Sequence, residues 1–190
     1  MDTKTNPIPP SELIINSDGS IFHLHLRPEQ LADRIVLVGD PDRVTMIGKY
    51  LSDIECDVCN REFHSITGRY AGKRLTILSH GIGGDNIDIV VNELDALANI
   101  DFSTRLPRET PRVLTLVRIG TCGGLQPWSP IGTYVGAERA VGFDGVPYFY
   151  ADTERVRDLP LEAALRSQLS WRIDGLRPYA IPADPELTDR

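Results

Sequence analysis

Residues 34–43 read RIVLVGDPDR, and this sequence predicts the fold class. Its first five residues are almost all apolar, which is typical of a short parallel strand buried on both faces. The strand ends at Gly39, and a helical pattern with Val44, Ile47 and Leu51 as its apolar residues follows. A strand, a tight loop and a helix in this order indicate an α/β sheet with ligand-binding loops at the carboxyl ends of its strands.

The rest of the chain continues this alternation. A turn at residues 71–72 joins alternating runs into a meander that returns to the sheet. The loop GIGG at 81–84 precedes a helix that Asp85 or Asn86 can cap. The other predicted elements are strands at 54–59, 61–70 and 74–79, a second buried strand at 113–119, a strand around 133–141 and a helix around 161–171. We therefore expect an α/β fold with a mixed central β-sheet flanked by helices.

Composition and charge narrow the function classes. The 190 residues are 41% hydrophobic and 25% charged, which is typical of one globular domain, here residues 1–190 with a polar segment at 1–20. A net charge of −7 argues against non-specific nucleic-acid binding, which needs a basic face. No apolar run approaches the ~20 residues that span a bilayer, so no membrane contact is predicted. Three cysteines, an odd number, argue against a disulfide framework, and cytoplasm is the predicted compartment.

Cys56 and Cys59 form a lone CDVC motif within one of the alternating runs. Residues three apart in a strand point to opposite faces of the sheet, so this pair suits neither a zinc ion nor a disulfide. The chain also has no HExxH motif and no paired histidines at metal-binding spacing. No metal site is predicted.

Arginine is built into two of three loops that each follow an apolar strand. The loops are GDPDR at 39–43, GIGG at 81–84 and GTCGG at 120–124. Arg43 lies inside the first loop and Arg118 directly before the third. A guanidinium at the end of an apolar strand needs a partner, which can be a bound phosphate or a buried carboxylate. Two such loops at the ends of parallel strands favour an anion pocket.

Five short motifs occur in order along the chain, namely FHL at 22–24, GDPDR at 39–43, REF at 61–63, GIGG at 81–84 and RIGTCG at 118–123. Together they resemble the uridine phosphorylase branch of the nucleoside phosphorylases, and the similarity runs from about residue 21 to residue 139. The resemblance implies a pentosyltransferase that splits a nucleoside, by preference uridine, into a free base and ribose 1-phosphate. Inorganic phosphate would be the co-substrate, and no organic cofactor is implied.

The resemblance also implies roles for individual residues. The implied phosphate ligands are Gly39, Arg43, Arg61, Arg118 and Thr121, with Arg118 also expected to act in catalysis. The implied nucleoside-binding residues are His23, Thr121, Cys122 and Gly123. Arg61 and His23 would reach the site of a neighbouring subunit, which implies a homo-oligomer built from dimers, up to a hexamer, with shared sites.

Phosphate is itself the nucleophile in this chemistry, which explains why the sequence shows no serine elbow or other side-chain nucleophile. Two alternatives stay open, a purine nucleoside phosphorylase and a catalytically inactive module that binds phosphate or a nucleoside. The C-terminal segments with which the family reads the base and grips the ribose are not found. A helix start at Asp184 and Pro185 stands close to the last residue, so a C-terminally incomplete domain is expected.

Overall fold

The computed structural model describes residues 6–169, 172 and 175–188. The packing of Cα atoms divides the chain into two compact units, Met1–Thr121 and Cys122–Arg190. The single domain over residues 1–190 stays a prediction. None of the helices in the described parts of the chain has the length and apolar character needed to cross a bilayer.

The first unit contains a five-stranded mixed sheet. Its elements in chain order are β1 (Arg34–Val38), α1 (Pro41–Gly48), β2 (Ser52–Asn60), β3 (Phe63–Tyr70), β4 (Lys73–Ser79), α2 (Gly84–Asn99), β5 (Ile100–Asp101), β6 (Leu106–Pro107) and β7 (Thr115–Arg118). The strand order is β2-β3-β4-β1-β7, while β5 and β6 form a separate pair. Strand β1 is parallel to β4 and β7, and β2, β3 and β4 form an antiparallel meander. The predicted mixed sheet and meander are confirmed.

Strand β1 is covered on both faces, as its apolar sequence predicts. Ile35 and Leu37 belong to a cluster with residues of α2, including Leu94. Val38 belongs to a second cluster with Val44 of α1. Fully burying one such aliphatic side chain contributes roughly 1.5–3 kcal/mol, so the two clusters fix β1 in the middle of the unit.

The two helices begin in different ways. Asp40 caps α1, because its Oδ1 accepts a hydrogen bond from the N–H of Asp42 at 2.7 Å. Helix α2 instead begins after Gly83, whose φ of 98° lies in the left-handed region that favours glycine. The prediction that Asp85 or Asn86 caps this helix is therefore wrong, since the glycine turn starts the helix before either residue.

Strand β7 is shorter and more exposed than its sequence suggests. The apolar run at 113–119 predicts a buried strand, but the strand covers only Thr115–Arg118 and its four residues are exposed. Its place in the sheet is the reason, because β7 lies at the edge and, among the strands that the structure describes, pairs with β1 alone. The prediction of burial is wrong for this unit.

The second unit is built around a two-stranded antiparallel sheet. Its elements are β8 (Arg139–Gly142), α3 (Leu159–Gln168), β9 (Tyr179–Pro182) and α4 (Pro185–Thr188), with β8 paired to β9. The strand predicted around 133–141 is confirmed from Arg139 onward as β8 and is wrong for residues 133–138, which form no strand. The helix predicted around 161–171 is confirmed as α3 up to Gln168, whereas residues 170 and 171 lie outside the described residues.

Candidate functional site

Three neighbouring parallel strands end together at one edge of the sheet. Val38 of β1 pairs with Ser79 of β4, and Leu37 of β1 pairs with Arg118 of β7. Immediately beyond the strands, the N–H of His80 donates to the carbonyl of Val38 at 2.8 Å. The structure thus places Gly39 and Arg118, two of the predicted phosphate ligands, on the same edge.

Arg118 reaches across the end of β1 to a histidine. Its Nε donates to Nε2 of His80 at 3.0 Å. Arg118 is the last residue of β7 and His80 follows β4, and these two strands lie on opposite sides of β1. Gly39 lies under this contact, since a Cβ added there would be 3.8 Å from Cε1 of His80. A Cβ at Gly120 would collide with the guanidinium of Arg118, so the glycine at this position leaves room for the arginine side chain.

His80 is a neutral acceptor for this arginine. The side chain is buried, and burial lowers the pKa of His80 below its usual 6.5, with the positive charge of Arg118 lowering it further. A neutral ring that accepts at Nε2 carries its proton on Nδ1. The contact therefore uses only Nε of Arg118 and leaves both terminal nitrogens of the guanidinium for a ligand.

Carboxylates do not pair with the predicted phosphate arginines. Six other arginines form ion pairs with Asp or Glu, namely Arg27, Arg74, Arg112, Arg139, Arg155 and Arg157. Within the described ranges, no carboxylate lies within ion-pair distance of Arg43, Arg61 or Arg118. Of the two partners that the sequence leaves open for Arg118, the buried carboxylate is therefore not found among the described residues.

Arg118 is also more exposed than the sequence suggests. The apolar strand predicts a charge that is cut off from water, but Arg118 is an exposed residue at the end of an edge strand. Water can solvate its guanidinium, so no desolvation penalty forces a partner on it. The arginine is accessible to an anion that arrives from solution.

Arg43 and Thr121 lie in the segments that follow β1 and β7. Arg43 is the third residue of α1 and lies half-buried in the first turn, where the helix dipole favours an anion. Thr121 is exposed and follows β7 by three residues. Cys122 and Gly123 open the second unit, and their predicted role in nucleoside binding stays a prediction.

His23 and Arg61 form a second cluster at the tip of the β2–β3 hairpin. The guanidinium of Arg61 lies 5.7 Å from the centre of the Phe22 ring, which contacts the His23 ring edge to face at 4.8 Å. Asn60 donates from Nδ2 to the carbonyl of His23 at 2.8 Å. The structure brings the two residues together within one chain, and the predicted contribution to a neighbouring subunit stays a prediction.

The hairpin tip is attached to the strand edge by Ser79. Its hydroxyl donates to the carbonyl of Glu62 at 2.7 Å and accepts from the N–H of His64 at 2.8 Å. Ser79 is the last residue of β4, directly before His80. The second cluster therefore adjoins the strand that carries the histidine of the first.

His80 lies at the candidate site, but the sequence patterns do not predict it as a site residue. Its position directly after an apolar strand matches that of Gly39 after β1, and this is the signal that could have found it. The partner could not be read from the sequence, because Arg118 and His80 meet only through the order of the strands.

Comparisons with known proteins agree with these motifs. A model of the phosphorylase superfamily matches residues 33–190. The chain is 30% identical to uridine phosphorylase of Thermococcus kodakarensis over 150 residues, which are 78% of this chain and 49% of that protein. A DeoD-type purine nucleoside phosphorylase of Alkaliphilus metalliredigens is 34% identical over 106 residues, 55% of this chain and 40% of that protein.

Among solved structures, the nucleoside phosphorylase of Trypanosoma brucei, which shows uridine phosphorylase activity, superposes with a TM-score of 0.83. It is 31% identical, and the match covers 93% of this chain and 59% of that one. The predicted fold is confirmed by this likeness. The chain spans about half the length of the curated relatives it matches.

Proposed function

Because the chain belongs to the phosphorylase superfamily, among its nucleoside phosphorylases of the uridine phosphorylase branch, we propose that it binds inorganic phosphate and uridine for phosphorolysis. The products would be uracil and ribose 1-phosphate. No organic cofactor is part of this proposal, because phosphate supplies the nucleophile.

The contact between Arg118 and His80 carries the proposal. A guanidinium held through Nε presents its two terminal nitrogens side by side, and this fork matches two oxygens of a phosphate. Gly39 would allow close approach of the main chain, while Arg43, Thr121 and a second subunit's Arg61 would complete the anion site. The absence of a competing carboxylate from the described residues around these arginines supports the same assignment.

The mechanism follows from charge and position. A phosphate oxygen attacks the anomeric carbon of the sugar, the C–N bond to the base breaks, and the electron pair leaves with the base. The sugar becomes cation-like as the base departs, and the dianion beside it stabilises that charge. Holding phosphate and sugar in line can supply ~7–11 kcal/mol of the barrier, which makes positioning the main task of these residues.

The experiment is an assay of uracil release from uridine with and without phosphate, in which ribose 1-phosphate is also measured. Release that requires phosphate and yields both products in equal amounts is the expected result. Equal release without phosphate would indicate a hydrolase and contradict the proposal. Phosphate binding without any release from a set of nucleosides would favour the inactive binding module.

A purine nucleoside phosphorylase is the second candidate. The 34% identity to a DeoD-type enzyme over 106 residues favours it. Assays with uridine, thymidine, inosine and adenosine separate the two. We expect turnover of uridine to exceed turnover of inosine.

We also propose a cytoplasmic homo-oligomer with shared sites. The three cysteines are free, which supports a reducing compartment. Mixing inactive His23→Ala subunits with inactive Arg118→Ala subunits tests the sharing. Recovered activity after subunit exchange is expected, and no recovery despite proven exchange would contradict it.

A further inference from the structure

Glu93 of α2 accepts several hydrogen bonds from the segment that contains His23. Its carboxylate accepts from Nδ1 of His23 at 2.7 Å, from the N–H of His23 at 3.0 Å and from the N–H of Leu24 at 2.8 Å. The Glu93 side chain is only 12% exposed. A carboxylate in this position can only accept, so the imidazole must present a proton at Nδ1.

We propose that Glu93 is a positioning residue that fixes the tautomer of His23. With the proton held at Nδ1, the lone pair at Nε2 becomes the acceptor for a hydroxyl of the sugar. This assignment rests on the proposed function, in which His23 contacts the ribose. Because a nucleotide lacks a hydroxyl at its 5′ position and carries negative charge there, the same arrangement selects nucleosides over nucleotides.

Neighbouring side chains hold the ring in place. Phe22 meets it edge to face at 4.8 Å between centroids, and Phe63 does so at 6.3 Å. The ring also lines a cavity of about 270 Å³ together with Glu93, Phe22 and Ile21. The orientation of the imidazole is therefore set by packing, and its proton position by Glu93.

Glu93→Gln reverses the tautomer in this account. The N–H of Leu24 cannot become an acceptor, so the single amide oxygen of glutamine turns to it. The amide NH₂ then faces Nδ1 of His23, and only the tautomer with its proton on Nε2 offers a lone pair there. A hydrogen-bond acceptor for the sugar is thereby converted into a donor.

Nitrogen-15 NMR of the histidine side chains tests this directly. The protein has four histidines, and His23→Asn identifies the signals of His23. In the wild-type protein we expect a protonated, pyrrole-like Nδ1 and a pyridine-like Nε2, with the two exchanged in Glu93→Gln. Asn60→Ala is the matched control, because it releases the same segment at the His23 carbonyl without touching the ring, and it should keep the wild-type pattern.

A pyridine-like Nδ1 or a doubly protonated ring in the wild-type protein at pH 7.5 would overturn the proposal, and this result needs no variant and no activity. A Glu93→Gln protein that keeps the wild-type tautomer would also overturn the proposal.

In the assay of uracil release, Glu93→Gln should lower kcat/KM about tenfold for uridine but leave kcat/KM for 5′-deoxyuridine unchanged. An equal loss with both substrates would show that Glu93 only supports the fold. If no nucleoside is turned over, the proposed function fails while the NMR result still decides the role of Glu93.

Discussion

Arginines at the strand edge of the first unit and arginines of the second unit have different kinds of partner. At the edge, Arg118 donates a hydrogen bond to a neutral histidine, and at the adjoining hairpin tip Arg61 lies over an aromatic ring. In the second unit, Arg157 pairs with Glu162, and their side chains are 7% and 0% exposed. Arg139 of the same unit pairs with Asp158 at 2.9 Å.

The buried ion pair of the second unit makes its hydrogen bonds with groups of the same unit. Glu162 accepts from Arg157 and from the N–H of Ala180 at 3.0 Å, and the Arg157 guanidinium lies 4.8 Å from the centre of the Tyr148 ring. The hydrogen bond from Arg157 lowers the pKa of Glu162 below its usual value, in spite of burial. An arginine that is paired with a carboxylate therefore stabilises the fold, whereas an arginine at the strand edge without such a partner is available to a ligand.

The largest expected effect is on the free energy of unfolding, when the buried ion pair between Arg157 and Glu162 is broken. Glu162→Ala leaves Arg157 without its carboxylate, so we expect the free energy of unfolding in urea to fall by about 3 kcal/mol. Glu138→Ala removes an exposed partner of Arg139 and is the matched control, with an expected change within about 0.5 kcal/mol. Equal effects of the two substitutions would remove the distinction between buried and exposed pairs.

Arg118→Ala tests whether the strand-edge arginine without a carboxylate partner binds phosphate. Loss of two charge-assisted hydrogen bonds should weaken phosphate binding by about 3 kcal/mol, or about 150-fold, with little change in stability. Calorimetry measures the affinity, and Arg112→Ala, which removes an arginine paired with Asp33, is the control that should keep it. A folded Arg118→Ala protein with wild-type affinity would show that this arginine is structural.

Arg43→Ala should have a smaller effect on the same affinity. Arg43 comes from the first turn of α1, and loss of one charge-assisted hydrogen bond corresponds to about 1.5 kcal/mol, or about tenfold. The measurement is the same phosphate titration. An effect as large as that of Arg118→Ala would place Arg43, not Arg118, at the centre of the anion site.

The smallest effect is on the pH dependence of stability. The pKa of His80 is lowered in the folded protein, so the unfolded chain binds more protons than the folded one as pH falls below the usual 6.5. The stabilisation from the neutral ring is complete above that pH and decreases below it. Urea unfolding of the wild-type protein and of His80→Gln should therefore differ less as pH falls from 6.5, because the other three histidines are common to both. A constant difference would show that His80 titrates normally.

The local sequence pattern is sufficient to predict some elements of the fold but not the contacts that depend on strand order. Strand β1 and helix α1 could be predicted because a short apolar run, a capping aspartate and a proline act within a few residues. The exposure of β7 could not, since it depends on which strand lies at the edge of the sheet. The pairing of His80 with Arg118 was missed for the same reason, because it joins residues 38 positions apart through the strand order.

A calorimetric titration of the wild-type protein with inorganic phosphate at constant ionic strength shows whether the strand edge with Arg118 and His80 binds phosphate. We expect saturable binding at one class of site, and a melting temperature that rises with phosphate as binding to the folded state requires. Sodium chloride at equal ionic strength should reproduce neither effect. Absence of saturable binding, or a rise in melting temperature that chloride reproduces, would contradict the assignment of the strand edge with Arg118 and His80 as a phosphate site.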